Sequence, residues 1–275
     1  MDAQNKILIL ICYYGEFPWY FPYFLQSCKY NPTIDFLIIS DNKGNYAYPE
    51  NVTIVNLPWE EIKRTINQKL DLNIRIDFPY KLCDFKPAYG LIFSELTKKY
   101  DFWGHGDIDV IFGHIRNFIT KEVLNNHDLI SVRHDVLTGY FTLFRNNPKM
   151  NELFKKSKDY KKVFTSSEHY CFDETNFKFE SFKKGLPPEQ IESEIESMTH
   201  VVKKLDSTNY IRAYFDFHVI EGYPGKLRWQ KGKLTYKNEY EVMLYHMVRF
   251  KRICEPSRVN HVPDTFQISP TRIYT

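Results

Sequence analysis

In Lys6-Ile7-Leu8-Ile9-Leu10-Ile11-Cys12, every residue after the lysine is apolar and three are β-branched. A strand solvated on one face alternates apolar and polar residues. One without alternation is buried on both faces, as in the parallel sheet of an α/β domain. Tyr13-Tyr14-Gly15 ends the run. Asp35-Phe36-Leu37-Ile38-Ile39-Ser40 repeats the pattern and stops at Asp41-Asn42-Lys43-Gly44, and Val52-Thr53-Ile54-Val55-Asn56 supplies a third strand. Between the first two, Pro18 announces a helix over 19–30 with Phe21, Phe24, Leu25 and Cys28 on one side. This alternation predicts a doubly wound α/β architecture.

Further along, helices are expected over 58–77 and 88–100, the latter with Pro87 in its first turn. Strands are expected over 101–112, 128–132 and 139–144, and a helix from Asn147-Pro148 to about 156. The charged, helix-prone stretch 178–204 reads first as a solvent-facing insertion, with a partner-binding helix or a lid as alternatives. Strand-like patterns resume over 212–219 and 226–230, and Lys231-Gly232 suits a turn into 233–236. The tail over 256–275 reads as irregular, with Pro263 and Pro270.

The 275 residues are 43% hydrophobic and 17% aromatic, a globular composition large enough for one sizeable core. Thirty-seven basic against 34 acidic residues leave a net charge of +3, so no global field argues for nucleic acid. The weak basic excess permits peripheral contact with an anionic membrane without requiring it. Five scattered cysteines without a C-x-x-C pair argue against a disulfide framework or structural zinc, and suit reduced thiols of a cytoplasmic protein. No apolar run reaches the length of a signal peptide core or a membrane span.

The chemistry concentrates in Trp103-Gly104-His105-Gly106-Asp107-Ile108-Asp109-Val110-Ile111-Phe112-Gly113. Read as extended chain, Asp107 and Asp109 point to the same side. Two carboxylates converging in an apolar setting call for a cation, and hard oxygen ligands suit Mg²⁺ or Mn²⁺, ions that commonly hold phosphates. The plainer alternative is a pair of solvent-facing aspartates. Cys83-Asp84-Phe85-Lys86-Pro87 reads as a helix start, where Lys86 could meet a phosphate or ribose and Asp84 could cap the helix. Asp173 and Glu174, in Tyr170-Cys171-Phe172-Asp173-Glu174, offer either a general base or an N-cap with its first-turn glutamate. His246 heads a basic cluster through Arg252 that could face a diphosphate. It is a third metal ligand only if the fold returns it to Asp109. Gly139, opening Gly139-Tyr140-Phe141-Thr142-Leu143-Phe144-Arg145-Asn146, would allow close approach of a ligand.

Taken together, these segments resemble the GT-A glycosyltransferases, and more closely an uncharacterised group of bacterial glycosyltransferases from surface-polysaccharide loci. The resemblance runs from Ile7 to about Arg252. It implies a GT-A-like fold: a mixed, mostly parallel sheet flanked by helices, with a smaller C-terminal acceptor or lid region. The chain would be one domain, 1–275. Residues 1–113 would bind the nucleotide-sugar, 114–255 would form the acceptor half with a helical insertion near 178–204, and 256–275 would be the tail. It further implies a nucleotide-diphospho-sugar donor, a saccharide or lipid-linked glycan acceptor, and Mn²⁺ or Mg²⁺. Asp109 would bind the metal directly, Asp107 would contact metal or ribose, and His246 would be the late ligand. Tyr13, Tyr14, Gly15, Asp41 and Asn42 would hold base and ribose. Asp84, Lys86 and Lys251 would lie near ribose or diphosphate, and Asp173 or Glu174 would face the acceptor. His105 departs from the aromatic or small residue expected beside Gly106.

Two rival readings use the same residues. A metal-dependent phosphohydrolase or nucleotidyltransferase also pairs carboxylates with phosphates, but usually with more acidic ligands. A non-catalytic carbohydrate-binding protein would use the 22 Phe, 20 Tyr and 4 Trp as stacking surfaces, although aromatics more often fill cores.

Overall fold

The computed structural model describes residues 4–254 and 261–275. The long apolar run becomes β1 (Ile7–Cys12), an interior strand of a seven-stranded sheet. Its order is β3 (Val52–Asn56), β2 (Ile34–Ser40), β1, β4 (Phe102–Gly106), β7 (Phe141–Arg145), β6 (Leu129–Ser131) and β8 (Ala213–Phe215). The pairs β3–β2, β2–β1, β1–β4 and β6–β8 are parallel, and β7 runs antiparallel to both its neighbours. The sheet is therefore mixed and mostly parallel, as expected.

The absence of alternation in β1 has the predicted cause. Ile7, Ile9 and Ile11 enter one hydrophobic core, while Leu8 and Leu10 enter the other. Each such burial stabilises by about 1.5–3 kcal/mol. The helix Phe21–Lys29 buries Phe21, Phe24, Leu25 and Cys28 on the first side, and Trp59–Leu70 buries Ile62 and Ile66 on the second. Gly104 is required by packing: a Cβ there would stand 2.6 Å from both the Leu143 side chain and the Thr142 carbonyl oxygen.

The strand expected over 101–112 is broken. β4 ends at Gly106, the chain bends through Ile108 and Asp109, and it resumes as β5 (Val110–Phe112) in a different sheet. Two carboxylates cannot follow the pleat into an apolar core, and each turns to a separate cation. The second sheet has three strands, with β13 (Leu244–His246) between β5 and β9 (Val219–Glu221). His246 lies opposite Val110 across the antiparallel pair, and opposite Glu221 across the parallel one. This register carries the late histidine back beside Asp109.

Three other expectations need correction. The helix over 88–100 is two short turns, Tyr89–Ile92 and Ser94–Thr97, preceded by a 3₁₀ helix over Pro79–Ala88. Lys86 thus sits near the end of a helix rather than at its N-terminus, and its charge acts without a dipole behind it. The stretch 178–204 is solvent-facing only in part: residues 183–190 are mostly exposed, but the remainder packs onto the protein. Met198, Val201 and Val202 of the helix Met198–Ser207 belong to the second core, and Phe182 and Ile191 close on Val136. The tail is not irregular where it is described, although 256–260 lie outside the described residues. A third sheet runs β12 (Tyr240–Glu241), β11 (Lys233–Tyr236), β10 (Leu227–Gln230), β14 (Thr265–Ile268) and β15 (Ile273–Tyr274). Pro263 and Pro270 flank β14 without interrupting it, and Phe266 stacks on Trp229 at 5.0 Å. Among the described residues, no helix is long and apolar enough to cross a membrane.

Candidate active site

A cavity of about 420 Å³ opens where β1, β4 and the second sheet meet. Most of the sequence-derived candidates line it: Tyr13, Tyr14 and Lys86, then Asp107 and Asp109, then Asp173, Glu174, His246 and Lys251. Gly15, Asp41 and Asn42 stand beside it as one hydrogen-bonded corner. The Gly15 N–H donates to Asp41 Oδ1 (3.1 Å), and Asn42 Nδ2 donates to the Gly15 carbonyl (2.8 Å). Gly15 has φ +103°, a conformation that side chains disfavour.

Asp84 is the exception. It is fully buried away from the cavity, against the expectation of a ribose or phosphate contact. Its carboxylate accepts from Lys81 Nζ (2.9 Å) and from the Tyr170 and Phe172 N–H groups (2.9 Å each), and His169 Nδ1 lies 3.2 Å from it. Asp84 therefore pins the 170–172 loop that carries Asp173 and Glu174.

Two clusters organise the cavity. In the first, the buried Lys86 Nζ donates to Asp107 Oδ1 (2.6 Å) and to the Gly139 carbonyl (2.9 Å), with Asp173 Oδ2 at 3.8 Å. Burial works to lower the Lys86 pKa, but Asp107, Cys83 and Asp173 outweigh it and hold the ammonium well above its usual range. Glu174 accepts from the Gly139 N–H (2.6 Å) and from Cys171 Sγ (3.4 Å). Burial pushes the pKa values of Asp173 and Glu174 upward, against the pull of Lys86.

In the second cluster, Lys251 Nζ donates to Asp109 Oδ2 at 2.6 Å. His246 Nε2 lies 3.5 Å from the same oxygen, and its Nδ1 lies 3.0 Å from Glu221 Oε1. Glu221 is itself paired with Arg133, which also grips Asp135. Burial disfavours the Asp109 carboxylate, but His246 and Lys251 hold its pKa well below the usual range. For His246, burial is outweighed by Asp109 and Glu221, and its pKa rises to about 9.

The donor set suits a divalent cation on limited terms. Asp109 contributes a hard oxygen and His246 an imidazole whose other nitrogen is backed by a carboxylate, the usual arrangement at metal-binding histidines. Mg²⁺-type ions often take only one or two carboxylates and complete their shell with water and substrate phosphates. Asp107 does not join this pair, because it is bonded to Lys86. Among the described residues, no three His, Cys, Asp or Glu side chains form a metal-sized group.

Glu221 and Arg133 had no signal in the sequence. Glu221 ends an ordinary apolar strand, and only the pairing of β9 with β13 gives it a function. Gly139 does not leave room for a ligand, because the space beside it is taken by the chain's own groups. A Cβ there would stand 2.6 Å from Asp173 Oδ2 and 3.2 Å from Glu174 Oε1.

A family model described as "Family of unknown function (DUF6625)" matches residues 9–275. The chain belongs to that family. No curated protein matches it. Among solved structures, the chain is similar to the galactosyltransferase LgtC in complex with donor and acceptor sugar analogs, at 12% identity and a TM-score of 0.33. That match covers 64% of this chain and 70% of the other. It is similar also to the glycosyltransferase GlyE of Streptococcus pneumoniae TIGR4, at 10% identity and a TM-score of 0.31. There it covers 77% of this chain and 45% of the other. Likeness at that level leaves the chemistry of this family member to be argued from its own cavity.

Proposed function

We propose that the chain is a glycosyltransferase that moves a sugar from a nucleotide-diphospho-sugar to a saccharide or lipid-linked glycan acceptor, as in surface-polysaccharide synthesis. One observation carries the reading: a single cavity gathers the lysines Lys86 and Lys251, Asp109 beside His246, and the carboxylates Asp173 and Glu174.

Lys86 and Lys251 are the groups suited to a diphosphate. Both are now satisfied by aspartates, so a bound diphosphate would exchange one set of charge-assisted bonds for another. Tyr13 and Tyr14 offer aromatic and hydroxyl contacts for base and ribose beside the Gly15–Asp41–Asn42 corner. A divalent ion held by Asp109 and His246 would supply neutralisation of charge on the departing nucleoside diphosphate. Lys86 and Lys251, once exchanged from their aspartates onto the diphosphate, would add to it. Asp173 is the better candidate to take the acceptor proton, because both Glu174 oxygens are already engaged. A carboxylate whose pKa is raised is a stronger base near neutral pH.

The test is a thermal-shift screen of nucleoside diphosphates and nucleotide-sugars with and without Mn²⁺, since a ligand binding only the native state raises its melting temperature. Stabilisation by one nucleotide class supports the reading. Indifference to all of them removes it.

A further inference from the structure

The cavity has an aromatic rim that the proposed donor chemistry does not use. Tyr80 is 65% exposed and Phe177 is 60% exposed. His169 joins them edge to face, 4.7 Å from the Tyr80 ring and 5.7 Å from the Phe177 ring. Tyr80 and His169 line the 420 Å³ cavity. His169 and Phe177 line a second cleft of about 270 Å³, so His169 is common to the two. The rim is therefore continuous with the space in front of Asp173 and Glu174.

The backbone holds this rim out in the water at a cost. Asn176 and Phe177 have φ of +52° and +61°, and Cys171 has +51°. Bulky residues in the left-handed region persist only where their surroundings over-determine them, and they cluster at ligand-binding positions. Here the surroundings are evident. Asn176 Nδ2 donates to the Tyr170 carbonyl (2.9 Å), and its Oδ1 accepts from the Glu194 N–H (3.0 Å). Asp84 grips the Tyr170 and Phe172 N–H groups from below and faces His169. One rigid loop thus presents two carboxylates inward and an aromatic ring outward.

Resting on the glycosyl-transfer reading, we propose that Tyr80, His169 and Phe177 form the acceptor subsite, and that its ligand is a pyranose ring. A pyranose has a C–H face that stacks on aromatic rings and hydroxyls that donate to carboxylates. This loop offers both within one opening. An acyl chain or apolar peptide would match the rings but offer Asp173 no hydrogen-bond donor.

Saturation-transfer NMR with the methyl pyranosides of glucose, galactose, mannose and N-acetylglucosamine tests this on the full chain, without a donor. The wild type should transfer saturation to the ring protons of at least one glycoside. Tyr80→Ala and Phe177→Ala should lose at least tenfold of that affinity, and Phe177→Trp should keep it. Equal transfer in wild type and both alanine variants overturns the proposal, as does no transfer from any glycoside. Binding of dodecylphosphocholine micelles or an apolar peptide instead also overturns it. The two readings fail separately. Pyranoside binding lost in Phe177→Ala, with no nucleoside diphosphate stabilising the wild type, keeps the subsite and removes the transferase. Nucleoside-diphosphate stabilisation with pyranoside binding unchanged in Phe177→Ala does the reverse.

Discussion

Glu221 Oε1 lies 3.0 Å from His246 Nδ1, so one imidazole nitrogen is committed before the other faces Asp109. Arg133 holds Glu221 from behind. Partners that orient a metal-binding histidine typically change metal affinity 10–100-fold when removed. On the proposed reading, in which Asp109 and His246 hold Mn²⁺, Glu221→Gln should weaken Mn²⁺ binding by about that factor, read by direct titration with electron paramagnetic resonance. Affinity equal to wild type would show that Glu221 does not orient His246 toward an ion.

Gly139 is the most confined position in the first cluster. Its carbonyl accepts from Lys86 and lies 3.0 Å from His105 Nδ1, while its N–H donates to Glu174. Gly139→Ala forces a methyl against Asp173 Oδ2. Overpacking of this kind costs about 1–3 kcal/mol, and here it would also displace the carboxylates facing the cavity. Urea unfolding should show the lower midpoint, and a midpoint equal to wild type would mean that the loop can retreat freely.

Asp84 and Lys81 form an ion pair with both side chains fully buried. Removing one member of such a pair leaves an uncompensated charge, at about 3–5 kcal/mol. Asp84→Ala should show a loss of that order by chemical denaturation, with the 170–172 backbone released as well. A loss under about 1 kcal/mol would mean that water or another group replaces the carboxylate.

His105 gives the fold an acid-sensitive element. Burial first, and Lys86 second, lower its pKa to about 3, although the bond to Gly139 opposes the shift. The unfolded chain takes up this proton near pH 6.5. The native state therefore binds fewer protons between these values. Stability from neutral His105 is fully present above about pH 6.5 and is lost as pH falls toward 3, at up to about 1.4 kcal/mol per pH unit. His105→Gln, which cannot take up this proton, should show a shallower decline in urea midpoint between pH 7 and pH 4.5. Parallel declines would assign the acid sensitivity to other groups.

The sheet was legible in the chain because burial leaves a local record. The short, β-branched run Ile7 to Cys12 suits a strand covered on both faces, and it is one. Asp107 and Asp109 were legible as a charged interruption of an apolar segment, yet their geometry was not. Extended chain would aim both at one cation. Instead the strand ends between them, so that Asp107 meets Lys86 and Asp109 meets Lys251 and His246. The aromatic rim was hidden for another reason. Nothing in Tyr80, His169 or Phe177 as residue types separates a core aromatic from an exposed one.

By itself the sequence determined the α/β class, the interior position of the first strand and the residue types gathered near Asp109, since hydrophobic periodicity and charge interruptions are local properties. Only the tertiary structure decided which charges pair. Lys251 is 142 residues from the Asp109 it neutralises, and Glu221 reaches His246 through the register of two strands. Asp84, read locally as a cap or phosphate contact, became an internal pin because the fold placed Lys81 and two backbone N–H groups around it. Pairing between distant charges depends on chain crossings that no short segment encodes, and those crossings gather carboxylates and lysines from distant segments into the lining of one cavity.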